Sequence, residues 1–367
     1  MIGDHRGAVL GNKYYPQIDT IRFITICFIV FGHCLLSQWD EKQFLTPEKE
    51  YLHIFVSQTG KISTVIFFII AGFLLRPKLH HYTLKSYLQD RIPKVYFPWV
   101  LFIIIFLIVE IVQELPLKEI FATGNIKLLL DGCYKILNGL LLYTAYWFIT
   151  TYFVSMILFV TFRKYAESLF FGLILGLITC FYAVNLYYQW IAANHAKSIL
   201  AYAFFVWIGI LLQKHFDTVM NFIKRISWVL FIVVLVVMFY LSCAEGAYLQ
   251  KIGCVDPFAS NRVSNSLFSI VFLLALFKMG RLQLINNLNP RKTVYGIFLI
   301  HNLVIYELMI VLRYYRVFDS VANYWYLLII QILFCSIIVF ITYIIVSILV
   351  RSKYSWLIGV KHQMNID

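Results

Sequence analysis

In 367 residues the chain is 61% hydrophobic, 18% aromatic and only 13% charged, against about half apolar and a quarter charged in a soluble domain. One soluble core of this length cannot hide so much apolar surface, so lipid must solvate part of it. The formal charge of +13 would suit a nucleic-acid surface, but its placement along the chain argues for membrane topology instead.

The first segment, 1–17, is polar and lacks the apolar core and small-residue cleavage site of a signal peptide. It is expected to be a cytoplasmic N-terminal segment, with the first span retained. Hydrophobic stretches follow at 18–36, 54–75, 95–113, 140–162 and 168–186, then at 198–212, 226–243, 264–277, 294–312 and 325–350. Most hold the roughly 17–25 apolar residues that a bilayer crossing needs. The sixth and eighth are short, and 325–350 is read as one tilted span. The expected fold class is therefore all-α: a polytopic integral membrane protein with about ten transmembrane helices and both termini cytoplasmic. One membrane domain, 18–350, is followed by a cytoplasmic tail, 351–367.

With the N-terminus inside, 20 of the 31 Lys and Arg fall in the cytoplasmic segments and span ends, while acidic residues split six inside to ten outside. That asymmetry follows the positive-inside rule. The basic charge thus describes topology plus an anionic cytoplasmic ligand, and no nucleic acid is expected. Two outside loops, 115–139 and 244–263, are long. Inside, 80–89 is polar and aromatic and is expected to lie along the inner surface before the third span begins at a corner, 91–98, where Pro93 and Pro98 suit a helix start or kink. Seven cysteines form no metal spacing. Five sit in or beside spans as small apolar residues; Cys243 and Cys254 lie where an outside disulfide could form.

An ionisable residue inside a span is costly and normally faces protein or water. Arg22 and His33 share the first span. Eleven residues at about 100° each bring them within roughly 20° of one helix face, about 16 Å apart along the axis. An inner-leaflet anchor and an interhelical hydrogen bond would give the same spacing. Lys61, Glu110 and Glu307 fall near the outer ends of their spans and with His33 could line one outward pocket; snorkelling or structural ion pairs are the plain alternative. His301, with Asn302, lies mid-span and needs partners, as in a structural network. Arg91 and Lys94, with Arg76, Lys78 and Lys85, form an inner basic cluster that serves as a topology signal and also suits a phosphate-bearing ligand. The histidines and carboxylates have no ligand spacing, so no metal is expected.

These residues resemble a known family. Asp19-Thr-Ile-Arg22 followed by His33 resembles the first-helix signature of membrane acyltransferase family 3. Phe67-Phe-Ile-Ile-Ala-Gly-Phe73 resembles its second-helix stretch, where Ser usually stands in place of Ala71. Arg91-Ile-Pro-Lys94-Val-Tyr-Phe-Pro98 resembles its third-helix start, normally Arg-x-x-Arg leading to Pro. Tyr146-Trp147-Phe148 and the segment 295–302 match in type and order, so the resemblance spreads over about 14–350.

The resemblance implies an enzyme that moves an acyl group, most often acetyl from acetyl-CoA, to a hydroxyl of a cell-surface polysaccharide or glycolipid. It implies that His33 is catalytic and that Arg22 and Arg91 are required, with Lys94 standing for the second arginine. Lysine there keeps the charge and loses the forked geometry. The expected mechanism docks the CoA phosphates on Arg22, Arg91 and Lys94 and uses His33 as general base or as acyl carrier. Lys61, Glu110, Glu307 and His301 remain candidate substrate-binding residues. Acyl-CoA, a glycan or lipid-linked sugar acceptor and the bilayer are the expected partners, in the inner membrane of a bacterial cell envelope, with transfer completed inside the membrane domain. The rival readings are a glycan exporter, which intramembrane Lys, Glu and His would also suit, and a non-catalytic component of a polysaccharide-assembly complex.

Overall fold

The computed structural model describes residues 15–35, 47–314 and 324–361. Every element is helical, with no strand among the described residues. In chain order the helices are α1 (Pro16–His33), α2 (Pro47–Leu79), α3 (Leu84–Arg91), α4 (Phe97–Glu114), α5 (Leu117–Thr123), α6 (Ile126–Tyr143), α7 (Trp147–Thr161) and α8 (Leu169–Tyr188). There follow α9 (Ala203–Lys214), α10 (Phe216–Arg225), α11 (Trp228–Lys251), α12 (Val263–Met279), α13 (Gln283–Asn286), α14 (Pro290–Tyr314) and α15 (Tyr324–Arg351). A helix meets each of the ten hydrophobic stretches.

Among the described residues, six helical runs are long and apolar enough to cross a bilayer, or eight if each of two bent pairs is one span. Of the other two stretches, α1 falls below that standard because its Pro, Asp, Arg and His dilute it, and α12 is only 17 residues long. The chain is a multi-pass membrane protein. The count of ten is thus approximate, and its physical reason is visible: polar groups are spent inside helices that protein rather than lipid surrounds.

At the centre stands α2, 33 residues long and so about 50 Å from end to end. Two thirds of its most apolar window is buried. It packs against α1, α9, α12 and α11. Its approach to α9 is backbone to backbone: a Cβ on Gly72 would lie 1.9 Å from the Val206 carbonyl oxygen, and one on Gly209 would lie 1.9 Å from that of Ile69. Without a hydrophobic drive between helices in lipid, such close approach at small residues supplies the association through packing. The outer helices differ. Only 17% of the apolar window of α11 is buried, and Val229, Val236 and Tyr240 point outward, as lipid requires and water would not tolerate.

Three local expectations are revised. The 80–89 stretch does not end in a corner. α3 opens on a Thr83–Ser86 capping box and runs through a π-helical turn, Ile92–Tyr96, into α4. Pro93 lacks the N–H that an α-helical ladder would use, and the wider turn accommodates it. The stretch 115–139 is no loop but α5 plus the amphipathic α6, which meets α7 at a 62° bend. The loop expected over 244–263 shrinks to 252–262 because α11 continues to Lys251. Cys243 and Cys254 are both free thiols.

Candidate active site

α1 carries Arg22 and His33 to two adjoining cavities. One, of about 360 Å³, is lined by His33, His53, Lys61, Trp147, His195 and Asp256 among others; we call it the histidine cavity. The other, of about 390 Å³, is lined by Arg22, Arg91, Lys94, Arg291 and Lys292; this is the basic cavity. Ile29, Phe148 and Phe298 line both. The arginine–histidine line of α1 is therefore realised as two chambers meeting at an apolar waist. Phe148 and Phe298 face each other there, ring centroids 5.8 Å apart. A third cavity shares Arg22, Arg91 and Arg291 with the basic one.

His33 is placed by the crossing of α1 and α2, and Lys61 follows Gly60 on the facing helix. Behind His33 lies His301 on α14, fully buried, with ring centroids 5.5 Å apart. His301 Nδ1 lies 3.1 Å from the Ile297 carbonyl oxygen and 2.9 Å from that of Phe298. Carbonyls only accept, so Nδ1 carries the proton and Nε2 the lone pair. That Nε2 has no hydrogen-bond partner among the described residues. His301 lines none of the three cavities; it backs His33 rather than facing the open space.

In the basic cavity the charges are partly spent within the protein. Asp90 pairs with Lys94 one turn on and with Arg91 at 3.4 Å. Buried Asp19 accepts from Arg291 Nε at 3.0 Å. Among the described residues, Asp19 and Asp90 stand against five lining cations, a surplus of positive charge. Arg291 and Lys292 come to stand beside Arg22 only through the return of α14 against α1. Ala71 lines this cavity too.

Glu110 and Glu307, expected beside His33, line none of the three cavities. They belong to the contact between α4 and α14, where Gln113 donates to Glu307 at 3.1 Å and Tyr306 to Glu114 at 2.7 Å. Helix phase explains this: being near the outer end of a span says nothing about which face a residue occupies.

The histidine cavity instead holds groups that no span-based reading could pick. His195 lies between α8 and α9, and Asp256 between α11 and α12. The Asp256 carboxylate accepts from the His195 backbone N–H at 2.9 Å and bonds its ring Nδ1. Burial would push the Asp256 carboxyl up, but the His195 ring, its N–H and the Lys61 ammonium outweigh it and hold the group below its ordinary 3.8. The His195 ring stands edge-on to Trp147, centroids 4.7 Å apart. Both residues sit in loops with no periodicity, 61 positions apart, each a titratable group between two apolar stretches.

The motif residues Tyr146 and Tyr295 have structural tasks. Tyr146 donates to the Leu299 carbonyl at 2.7 Å and Tyr295 to that of Val95, tying α7 and α4 to α14 around the waist.

Residues 15–351, nearly the whole chain, match the family model of acyltransferase family 3, described as an acyltransferase domain. No curated protein and no solved structure matches the chain.

Proposed function

The chain belongs to acyltransferase family 3, and from that premise we propose that it moves an acetyl group from cytoplasmic acetyl-CoA to a hydroxyl of an extracytoplasmic glycan or glycolipid. One observation supports the reading above the rest: a cation-rich cavity and an imidazole-lined cavity meet at a waist that both share. A thioester donor needs such an arrangement, since its phosphates want cations and its acyl end wants a base.

In this reading Arg22, Arg91 and Lys94, joined by Arg291 and Lys292, hold the CoA phosphates; arginine grips phosphate with two parallel bonds, lysine as a point charge. The pantetheine arm passes between Ile29, Phe148 and Phe298, bringing the thioester to His33. Neutral His33 takes the proton of the acceptor hydroxyl as its oxygen attacks the thioester carbonyl. The tetrahedral intermediate collapses, the carbon–sulfur bond breaks, and the imidazolium returns the proton to the departing CoA thiolate. His301 is a positioning residue here: its Nε2 lone pair can accept a hydrogen bond from a His33 N–H and so orient the ring. Under this reading the basic cavity faces the cytoplasm and the protein sits in the inner membrane of a bacterial envelope.

Purified protein in lipid nanodiscs, given acetyl-labelled acetyl-CoA, tests the proposal. Release of CoA, with label passing to water or to glycan, is expected from the wild type and not from His33→Ala. Glycan movement across the bilayer without CoA turnover would replace it with the exporter reading.

A further inference from the structure

The mechanism above leaves one buried pair unused. His195 and Asp256 line the same cavity as His33, yet neither lies in a helix, and the pair is built with more care than a loop staple needs. An ionised carboxylate can only accept, so the His195 Nδ1 facing Asp256 carries a proton, and in the neutral ring Nε2 carries the lone pair. No hydrogen bond to that Nε2 is made among the described residues. The loop that supplies Asp256 is itself anchored. Buried Arg262 donates to the Ser242 carbonyl at 2.6 Å and the Ala259 carbonyl at 3.2 Å, and bonds Gln58 of α2. Gln58 in turn donates to Asn265 at 2.9 Å. A fixed acceptor atom aimed from a supported loop is the arrangement that preorganised binding requires.

Charge narrows the ligand. Among the described residues, Lys61 and Asp256 are the cation and the anion lining this cavity, opposite in charge; the neutral rings of His33 and His195 supply lone pairs, and Ser57 and Thr64 supply hydroxyls. The basic cavity, by contrast, is built for anions. A volume of about 360 Å³ falls in the range of roughly 300–1,000 Å³ typical of small-ligand pockets, with Trp147 as a flat apolar wall.

We propose that His195 and Asp256 form the acceptor-binding dyad of this protein, and that it takes an uncharged, polyhydroxylated sugar unit. His195 Nε2 accepts a hydrogen bond from a sugar hydroxyl adjacent to the one acylated, which presents the reacting hydroxyl to His33. The proposal rests on the acyl-transfer reading. A staple that merely joins two loops would also hold Asp256 against His195, but it would not distinguish donor from acceptor.

The experiment uses the full chain in nanodiscs, acetyl-CoA as donor, and as acceptor the cell-surface glycan of the producing cells stripped of its O-acyl groups by mild alkali. Two rates are read: acetyl-CoA hydrolysis without glycan, and transfer as glycan is titrated. For His195→Gln and Asp256→Asn, transfer to glycan should fall far more than hydrolysis does. Half-saturating glycan should rise about tenfold or more, the worth of one hydrogen bond. Hydrolysis falling in step with transfer, or an unchanged glycan titration, overturns the dyad. A wild-type measurement needs no variant: excess neutral methyl hexoside should suppress transfer, and a methyl hexuronoside at the same concentration should not. Equal suppression by both overturns the uncharged assignment. A folded wild type that neither hydrolyses donor nor transfers label sinks the acyl-transfer reading itself, a result distinct from either.

Discussion

Gly32 on α1 and Gly60 on α2 touch through their backbones: a Cβ built on Gly60 would lie 2.5 Å from the Gly32 Cα, and one on Gly32 would lie 2.7 Å from the Gly60 Cα. Each glycine precedes a residue that lines the histidine cavity, His33 in one case and Lys61 in the other. The distance between those two functional groups is therefore set by the absence of two side chains.

Gly60→Ala is expected to force the helices apart and cost about 1–3 kcal/mol, the usual penalty for overpacking, with donor turnover falling more than donor affinity. Thermal unfolding and CoA release check this. Gly139→Ala serves as the control: its Cβ meets nothing within 4 Å, so only helix propensity acts, stabilising by up to about 1 kcal/mol. Equal behaviour of the two variants would contradict the close-contact account.

Replacing His301 removes the lone pair behind His33 without touching any of the three cavities. His301→Phe is expected to lower the maximal rate by about 10–100-fold, a modest share of the 10²–10⁴-fold typical of a positioned general base. Half-saturating acetyl-CoA should not move. A rise in that concentration at constant maximal rate would mean that His301 acts on donor binding.

The basic cavity ranks its cations by how far the protein has already neutralised them. Arg22 shares the influence of Asp19 with Arg291, while Lys94 is bonded directly to Asp90. Arg22→Ala should raise half-saturating acetyl-CoA at least about tenfold and flatten its salt dependence; Lys94→Ala should do less. Asp90→Asn, which frees Lys94 and Arg91, is expected to tighten the donor. Steady-state titrations at two ionic strengths decide the order.

Asp256 provides a pH signature. Its folded pKa lies below the ordinary 3.8, so the carboxylate contributes stability that is fully present above about pH 4 and is lost as pH falls through the folded value. The difference in unfolding temperature between the wild type and Asp256→Asn should be constant from about pH 5 to 8 and shrink below about pH 4. A gap that shrinks already near pH 6 would place the linkage on a histidine instead.

Composition and hydrophobic runs determined the membrane class and the ten helical stretches, because insertion into lipid selects on local chain properties. The α1 periodicity likewise placed Arg22 and His33 on one side of their helix, since both angles are counted along a single helix. Which residues share a cavity was decided elsewhere. Glu110 and Glu307 line none of the three cavities, and the face each presents depends on how α4 and α14 rotate against each other. His195 and Asp256 meet only because two loops fold over the same end of α2, a meeting no local pattern encodes. Depth in a bilayer is written in each segment alone; rotation and neighbour are properties of packed pairs, and packing in turn hangs on close approaches such as Gly32 on Gly60.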